Sequence, residues 1–204
     1  MDRMKTIGLV GGVASGKSVV AQLFVELGAG LLDADRMGHE VLATDAEVHA
    51  ALADRWDPGI VRPDGTIDRS AVAAHVFGDT LAATAEREFL ESVLHPRIQA
   101  ALDAKKRDFA AAGSPAVVLD APLLLEAGWA SQCDMIVMVD APRETRLARA
   151  CQRGWSEAEF ARREASQWPV EKKRAAAAIT LANDGNIDDL RPAVRAVWDQ
   201  LVAP

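Results

Sequence analysis

The fold of this chain follows from one stretch, Gly11-Gly12-Val13-Ala14-Ser15-Gly16-Lys17-Ser18, which fits the phosphate-binding pattern G-x-x-x-x-G-K-[S/T]. The pattern has this meaning only when a strand leads into it and a helix leads out. Residues 6–10 form a short apolar run suited to a buried parallel strand, and apolar residues recur at helical spacing over residues 19–27. The stretch therefore predicts a nucleotide-binding loop between a strand and a helix.

The chemistry of such a loop comes from its backbone and from two side chains. Glycines let the chain turn so that successive N–H groups point at a phosphate, and the helix that follows adds positive potential. Lys17 is predicted to reach the β- and γ-phosphates of ATP, and the Ser18 hydroxyl is predicted to bind Mg²⁺. The alternative is a glycine-rich turn with a chance lysine, but the flanking strand and helix favour the nucleotide site.

Length, charge and cysteine content bound the remaining possibilities. The 204 residues suit one domain with room for an inserted subdomain, and a net charge of −7 argues against nucleic acid as the main partner. The first residues are unlike a signal peptide and no apolar run is long enough to span a bilayer, so we expect a cytoplasmic protein without a membrane partner. Cys133 and Cys151 are too few for a disulfide framework or a zinc site. Both a monomer and a small homo-oligomer are compatible with the sequence.

Three aspartates follow predicted strands. Asp33 and Asp35 come after a strand at about residues 29–32, and strand alternation would place both carboxylates on one face at the carboxyl edge of the sheet. A carboxylate there can orient an acceptor hydroxyl and take its proton, so Asp35 is the candidate base. The alternative is that Asp35 caps the next helix and Asp33 is a solvated strand end. Asp120 ends the strand at 116–120, where it either holds Mg²⁺ through water or simply ends the strand.

The middle of the chain is poor in strand signals. Residues 36–113 are predicted to form a mainly helical insertion that binds the acceptor, with a helix break at His95-Pro96 because proline disfavours helix for the residue before it. The nucleotide-binding core is then assigned to residues 1–35, 114–145 and 176–204. The whole is an α/β fold, with a parallel sheet of about five strands flanked by helices.

Four arginines at spacings of three and four residues share one helical face: Arg143, Arg146, Arg149 and Arg153. A solvated charged face is the usual meaning of such a row and is favoured for the first two. Arg149 and Arg153 lie furthest from the preceding strand. They are therefore assigned to a lid, at about residues 146–175, that closes over the nucleotide and binds its phosphates.

Several motifs in this order resemble those of dephospho-CoA kinases, over nearly the whole chain. They are the phosphate loop, Leu32-Asp33-Ala34-Asp35, Asp64-Gly65-Thr66-Ile67-Asp68-Arg69, Leu94-His95-Pro96-Arg97-Ile98, Pro122-Leu123-Leu124-Leu125-Glu126, the arginine row, Gln167 and Asn183. The resemblance implies transfer of the γ-phosphoryl group of ATP, with Mg²⁺, to the ribose 3′-hydroxyl of dephospho-CoA. The products are CoA and ADP, and this reaction is the last step of coenzyme A biosynthesis. The family's fold is a phosphate-loop (P-loop) core with a helical acceptor-binding domain and a lid.

The same resemblance implies roles for individual residues. Asp35 matches the proposed catalytic base, Arg149 and Arg153 match lid arginines that contact ATP phosphates, and Asn183 matches the loop near the adenine. The implied catalytic set is Asp35, Lys17 and Arg149. The implied acceptor-binding set is Asp33, Asp35, Arg69, His95 and Pro96.

Four positions depart from the family pattern. Val19 replaces a common threonine, which removes a hydroxyl beside the α-phosphate, and Ala14 replaces a common loop glycine. Gly154 stands where an aspartate usually follows the lid arginine, and Ala178 stands where an Ala-Asp pair is usual. Since the loop lysine and serine and the candidate base are retained, activity is expected.

Two other functions fit parts of the sequence. A P-loop kinase for another small molecule, such as a nucleoside or nucleotide, would share the loop and the lid and differ in the middle of the chain. A GTP-driven switch is suggested only by Asp35-Arg36-Met37-Gly38, which fits the short D-x-x-G pattern. The chain has no Asn-Lys-x-Asp motif, so nothing in it selects guanine.

Overall fold

A five-stranded parallel sheet forms the centre of the fold in the computed structural model, which describes residues 3–78 and 80–202. The strands are β1 (Lys5–Gly11), β2 (Gly30–Asp33), β3 (Ala116–Asp120), β4 (Met135–Asp140) and β5 (Ile179–Ala182). Their spatial order is β2-β3-β1-β4-β5, and every neighbouring pair is parallel. The predicted fold class is therefore confirmed. Apolar runs also predict strands at residues 135–140 and 177–181; β4 matches the first, and β5 begins two residues later than the second. β2 lies one residue later than predicted.

Nine α-helices connect and cover the strands within the described residues. They are α1 (Lys17–Glu26), α2 (Ala34–Thr44), α3 (Ala46–Arg55), α4 (Arg69–Val76), α5 (Leu81–Ala111), α6 (Arg143–Gln152), α7 (Glu157–Ala165), α8 (Val170–Ala176) and α9 (Ile187–Val202). Short 3₁₀ turns lie at Pro58–Ile60 and Trp129–Gln132.

The chain divides into two compact units. A sheet unit consists of the residues up to Asp33 and from Lys106 onward, and a helical unit consists of Ala34–Lys105. In the sheet unit the central strands are almost fully apolar, as strands covered on both faces must be. Helices α1 and α9 pack against them, and the rings of Phe24 and Trp198 lie 6.4 Å apart in this core.

The helical unit has its own small core, formed by Val48, Leu52, Ile60, Ile67 and Val72. Aspartates cap its helices: the carboxylate of Asp45 accepts from two backbone N–H groups at the start of α3, and that of Asp68 does the same for α4. The residues Thr44-Asp45-Ala46-Glu47 fit a capping box that begins at Thr44. The cap is one residue later, at Asp45, because α2 continues through Thr44.

The predicted helix break at His95-Pro96 is wrong, because α5 runs unbroken from Leu81 to Ala111. Proline inside a helix removes one hydrogen bond and costs about 3 kcal/mol. Residues on both sides of Pro96 offset this cost: Val93 and Leu94 pack against the core of the helical unit, and Ile98 is buried.

A membrane-spanning helix needs both length and an apolar composition. No helix in the described part of the chain has both.

Candidate active site

The phosphate loop joins the central strand β1 to α1. Gly11 is the last residue of β1 and Lys17 the first of α1, with Gly16 between them in a left-handed conformation at φ 94°. A Cβ atom at Gly16 would collide with the side-chain amide of Asn183, so glycine is required there for two reasons. Ala14 also has a positive φ, 59°, which no other non-glycine residue of the described chain shows.

Two predicted nucleotide-binding residues hold the carbonyl of Ser15. Arg149 donates from Nη1 to Ser15 O at 3.3 Å, and Asn183 donates from Nδ2 to the same oxygen at 2.7 Å. Arg149 also donates from Nη2 to Asn183 O at 2.9 Å. The hydroxyl of Ser15 is buried and has no hydrogen-bond partner among the described residues. A buried hydroxyl without a partner in a glycine-rich loop fits a phosphate oxyanion as its missing partner.

Arg146 was predicted to lie on a solvated face, and this is wrong, because it is 5% exposed. Its guanidinium donates from Nη1 to Val13 O at 3.2 Å and from Nε to Ala141 O at 3.1 Å. Nη1 also donates to Glu164 Oε1 at 2.6 Å, which compensates its charge. Arg146 thus supports the loop from the side of its carbonyl groups. Arg143 is the exposed member of the pair and contacts the other oxygen of Glu164.

A buried lysine lies at the first glycine of the loop. Lys173 in α8 is 2% exposed, and its ammonium lies 3.5 Å from both Gly11 O and Pro122 O. It donates to Gln167 Oε1 at 2.8 Å and pairs with Glu126 Oε1 at 3.4 Å. Burial lowers the pKa of Lys173, the negative charge of Glu126 opposes this shift, and the positive charge of Lys17 adds to it.

Nothing in the sequence marked Lys173, because a single lysine in a polar helix resembles any surface lysine. Gln167 and Glu126 were noticed only within motifs of the family resemblance. Helix α8 packs against β1 and β4, so this part of the predicted lid segment covers the sheet.

Arg153 is exposed and ends α6, where Gly154 follows with φ 86°. The N–H of Gly154 donates to Cys151 O at 2.9 Å and that of Trp155 to Ala150 O at 3.1 Å, which is the Schellman pattern of a helix end. Glycine in place of the family's aspartate therefore suits the backbone at this helix end, because glycine adopts a positive φ without strain. Val19, by contrast, lies 40% exposed in the first turn of α1.

Asp33 and Asp120 end neighbouring strands and are direct partners in the parallel register of β2 and β3. Asp120 is also the register partner of Leu9 in β1, two residues before the loop begins. Both carboxylates therefore lie at the carboxyl edge of the sheet, where α/β proteins place their ligands. Asp35 lies in the first turn of α2, which starts at Ala34, so the alternative in which Asp35 caps this helix does not hold.

The other predicted acceptor-binding residues lie in the helical unit. Arg69 begins α4, and its Nη2 lies 3.1 Å from Nε2 of His39. His95 and Pro96 lie within α5, where His95 is half-buried and Pro96 is exposed.

The described residues contain no group of three or more His, Cys, Asp or Glu side chains placed to hold a metal ion. In nucleotide sites Mg²⁺ is usually bound by one or two protein oxygens together with substrate phosphates and water. Ser18 is exposed at the start of α1, and Asp120 is half-buried at the end of β3. Both offer the hard oxygen ligands that Mg²⁺ prefers.

A cavity of about 510 Å³ lies beside the loop, between the start of α6 and residues 164–174. It touches the loop at Gly12 and Val13, and neither Lys17 nor Ser18 is among the residues that line it. This cavity is therefore not the phosphate cradle itself.

The sheet, the glycine-rich loop and the cations behind it define a nucleotide-binding protein of the P-loop class. The solved structure of a Thermus thermophilus protein is similar, with a TM-score of 0.80 and 34% sequence identity over 98% of this chain and 99% of that one. The family model for dephospho-CoA kinase matches residues 5–189.

Curated relatives agree with the family model. The dephospho-CoA kinase of Symbiobacterium thermophilum is 38% identical over 96% of this chain and 80% of its own length. That of Geobacter sulfurreducens is 35% identical over 96% of this chain and 98% of its own length. The chain belongs to the dephospho-CoA kinase family and is a kinase.

Proposed function

We propose that this protein transfers the γ-phosphoryl group of ATP to the ribose 3′-hydroxyl of dephospho-CoA, giving CoA and ADP. The observation that carries the proposal is a complete phosphate loop, with Gly16, Lys17 and Ser18 in place at the end of β1, in a member of this family. ATP and dephospho-CoA are the proposed partners, and the cytoplasm is the proposed location.

The proposed mechanism assigns three tasks to side chains. Lys17, at the start of α1, stabilises negative charge on the transferring phosphoryl group. Arg149, already bound to the Ser15 carbonyl, and Arg153, exposed at the end of α6, supply further positive charge. Asp35 orients the acceptor hydroxyl and accepts its proton. In phosphoryl transfer of this kind, positioning and electrostatic stabilisation account for most of the catalysis.

Mg²⁺ is proposed as the metal, with the Ser18 hydroxyl as a direct ligand and Asp120 as a candidate second one. When bound, the ion would neutralise part of the negative charge on the phosphates of ATP. The hydroxyl of Ser18 and the carboxylate of Asp120 support this assignment, since Mg²⁺ prefers oxygen ligands.

The assignment of the helical unit to acceptor binding is also a proposal. Arg69 and the half-buried His95 belong to this unit, and we assign them and Pro96 to recognition or support of dephospho-CoA, together with Asp33 at the end of β2. His95 is proposed to hold structure instead of doing chemistry, because it lies in the middle of a long helix.

The burial of residues near both ends of the predicted lid limits the range of residues that can move. Arg146 and Lys173 are buried against the loop, and Glu164 and Gln167 bind them, so we propose that the moving part lies at about residues 153–163. Amide hydrogen exchange with and without an ATP analogue tests this proposal, because a closing lid is protected by nucleotide. Equal exchange of residues 153–163 in both states would count against a lid.

The function itself is tested by measuring ADP release from ATP and Mg²⁺ with dephospho-CoA, adenosine or AMP as acceptor at equal concentration. Turnover with dephospho-CoA alone, with a product that carries a new 3′-phosphate, is expected. Turnover with a different acceptor would reject the proposed substrate and leave the P-loop kinase assignment intact. Reaction without any acceptor would point to an ATPase.

A further inference from the structure

We propose that Lys173 is a positioning residue for phosphoryl transfer, which holds the start of the phosphate loop and the segment after β3 in fixed relation to each other. The inference rests on the proposed kinase activity, although not on the identity of the acceptor. The residue lies outside every motif quoted above, and the mechanism given so far does not use it.

The first observation is the position of the ammonium group. One atom, Lys173 Nζ, lies 3.5 Å from the carbonyl of Gly11, where the loop begins, and 3.5 Å from that of Pro122. Pro122 follows Asp120 by two residues, and β1 and β3 are hydrogen-bonded neighbours in the sheet. The ammonium therefore joins the segments that carry the phosphate loop and the candidate metal ligand.

The second observation is that the ammonium is itself held in place. Gln167 accepts a hydrogen bond from it at 2.8 Å, and Glu126 lies 3.4 Å away. Glu126 is fixed in turn, since Oε1 accepts from the backbone N–H of Trp168 at 2.7 Å. Three short segments of the chain thus converge on one buried charge.

Stability alone explains this arrangement poorly. Removing an ammonium from water costs several kcal/mol, and a buried ion pair often adds no stability over apolar residues of similar volume. A buried cation behind the loop also affects the loop itself. A donor on the Gly11 carbonyl polarises that peptide group and strengthens the other hydrogen bonds that it makes. The positive charges of Lys173 and Lys17 also interact, and together they raise the positive potential near the loop.

Two variants separate the effect of losing the ion pair on stability from the effect of losing Lys173 on the rate of transfer. Lys173→Met alone leaves the partly buried carboxylate of Glu126 without its cation, so it is expected to destabilise the fold as well as lower the rate. In the double variant Lys173→Met with Glu126→Gln no buried charge remains, and the melting temperature is expected to recover. Its kcat is nevertheless expected to stay about tenfold to a hundredfold below wild type, as for small misplacements of reacting groups, while KM for ATP changes less than threefold.

Two further variants complete the experiment. Lys172→Met makes the same substitution at the next residue of α8, an exposed one, and should leave kcat within twofold of wild type. Gln167→Leu removes one acceptor of the ammonium at a half-exposed site, keeps the ion pair, and should lower kcat severalfold without loss of the fold. If the double variant does not fold, Gln167→Leu decides.

The proposal is overturned if kcat per folded molecule in the double variant stays within twofold of wild type. The same result in Gln167→Leu overturns it if the double variant does not fold. Lys173 would then be a structural residue. The comparison uses whichever acceptor the wild-type protein phosphorylates. A wild type that is active on another acceptor therefore rejects the proposed substrate without affecting the test of Lys173.

Discussion

The two units of this chain differ in the burial of their charged side chains and in what those side chains contact. In the sheet unit, Arg146 and Lys173 are almost fully buried and contact carbonyls of the phosphate loop. In the helical unit, the carboxylate of Glu86 pairs at 2.7 Å with Arg55, whose side chain is 47% exposed, and the pair joins α3 to α5. Exposed ion pairs contribute little net stability, whereas buried ones fix geometry at a real cost in desolvation. The costly arrangement occurs where a backbone must be held still beside a charged ligand.

The largest expected effect lies in the sheet unit. Lys17→Ala should lower kcat/KM for ATP by about a hundredfold to a thousandfold, because it removes a positive charge aimed at the transferring group. Steady-state kinetics with the acceptor at saturation measure this loss, and circular dichroism checks the fold. Lys172→Ala, at an exposed lysine of α8, is the control. Turnover close to wild type in Lys17→Ala would remove this residue from the mechanism.

The corresponding test in the helical unit is Asp35→Asn. Loss of a general base should lower kcat by about a hundredfold while the affinity for ATP is unchanged, since Asp35 is proposed to act on the acceptor. Calorimetric titration with a non-hydrolysable ATP analogue measures the affinity separately from the rate. Asp54→Asn, at an exposed site in α3, is the matched control. A loss of nucleotide affinity as large as the loss of kcat would show that Asp35 serves the metal or the phosphates.

The features that the sequence predicted well are local ones. The loop, its flanking elements and the strands at 116–120 and 135–140 follow from runs of residues whose neighbours in the chain are also their neighbours in space. The acidic ends of β2 and β3 were also located, but their direct pairing depends on the strand order β2-β3-β1, which no local pattern encodes.

The failures arise where distant residues decide. Arg146 belongs to a row that resembles a solvated face, and it is buried because Glu164, eighteen residues later, compensates its charge. Lys173 is explained only by Glu126 and by a loop at the other end of the chain. Proline at position 96 is a strong local signal for a break, yet packing on both sides of it keeps α5 continuous.

Arg146 and Arg143 offer a direct comparison of buried and exposed charge within the sheet unit, since both pair with Glu164. Arg146→Met should lower the free energy of unfolding by about 3 kcal/mol, because it removes the buried donor of Glu164 Oε1 and of the Val13 and Ala141 carbonyls. Arg143→Met should cost less than about 1 kcal/mol, as expected for an exposed pair. Urea unfolding of both variants measures the difference. Equal losses would show that burial does not distinguish the two arginines.

In the helical unit, Glu86 should make the free energy of unfolding depend on pH in the acidic range. Hydrogen bonds from Arg55 and Trp56 lower the pKa of Glu86 to about 2 from its ordinary value of 4.5. Its contribution is therefore fully present above about pH 4.5 and is lost as the pH falls toward 2. Wild type should take up about one proton more than Glu86→Gln on unfolding in this window. Melting temperatures from pH 2.5 to 6 measure this difference, and parallel curves would contradict it.

The smallest effect concerns the loop itself. Ala14 adopts a left-handed conformation at φ 59°, which costs an L-residue about 1–2 kcal/mol and glycine almost nothing. Glycine loses about 0.5–1 kcal/mol more backbone entropy on folding, so Ala14→Gly should stabilise the protein by less than about 1.5 kcal/mol. Ala148→Gly, at an exposed position inside α6, should instead destabilise it by about 1 kcal/mol.

The opposite signs make this pair informative, because both substitutions remove a methyl group, one from a strained and partly packed residue and the other from an exposed helical one. Urea unfolding measures both changes, and kcat is measured on the same samples. A stabilised Ala14→Gly with unchanged kcat would mean that the strain at Ala14 has no function. A stabilised variant with lower kcat would mean that the strained loop, held from behind by its cations, is part of how the site is positioned. A destabilised Ala14→Gly would show that packing of the Ala14 methyl group outweighs the backbone strain.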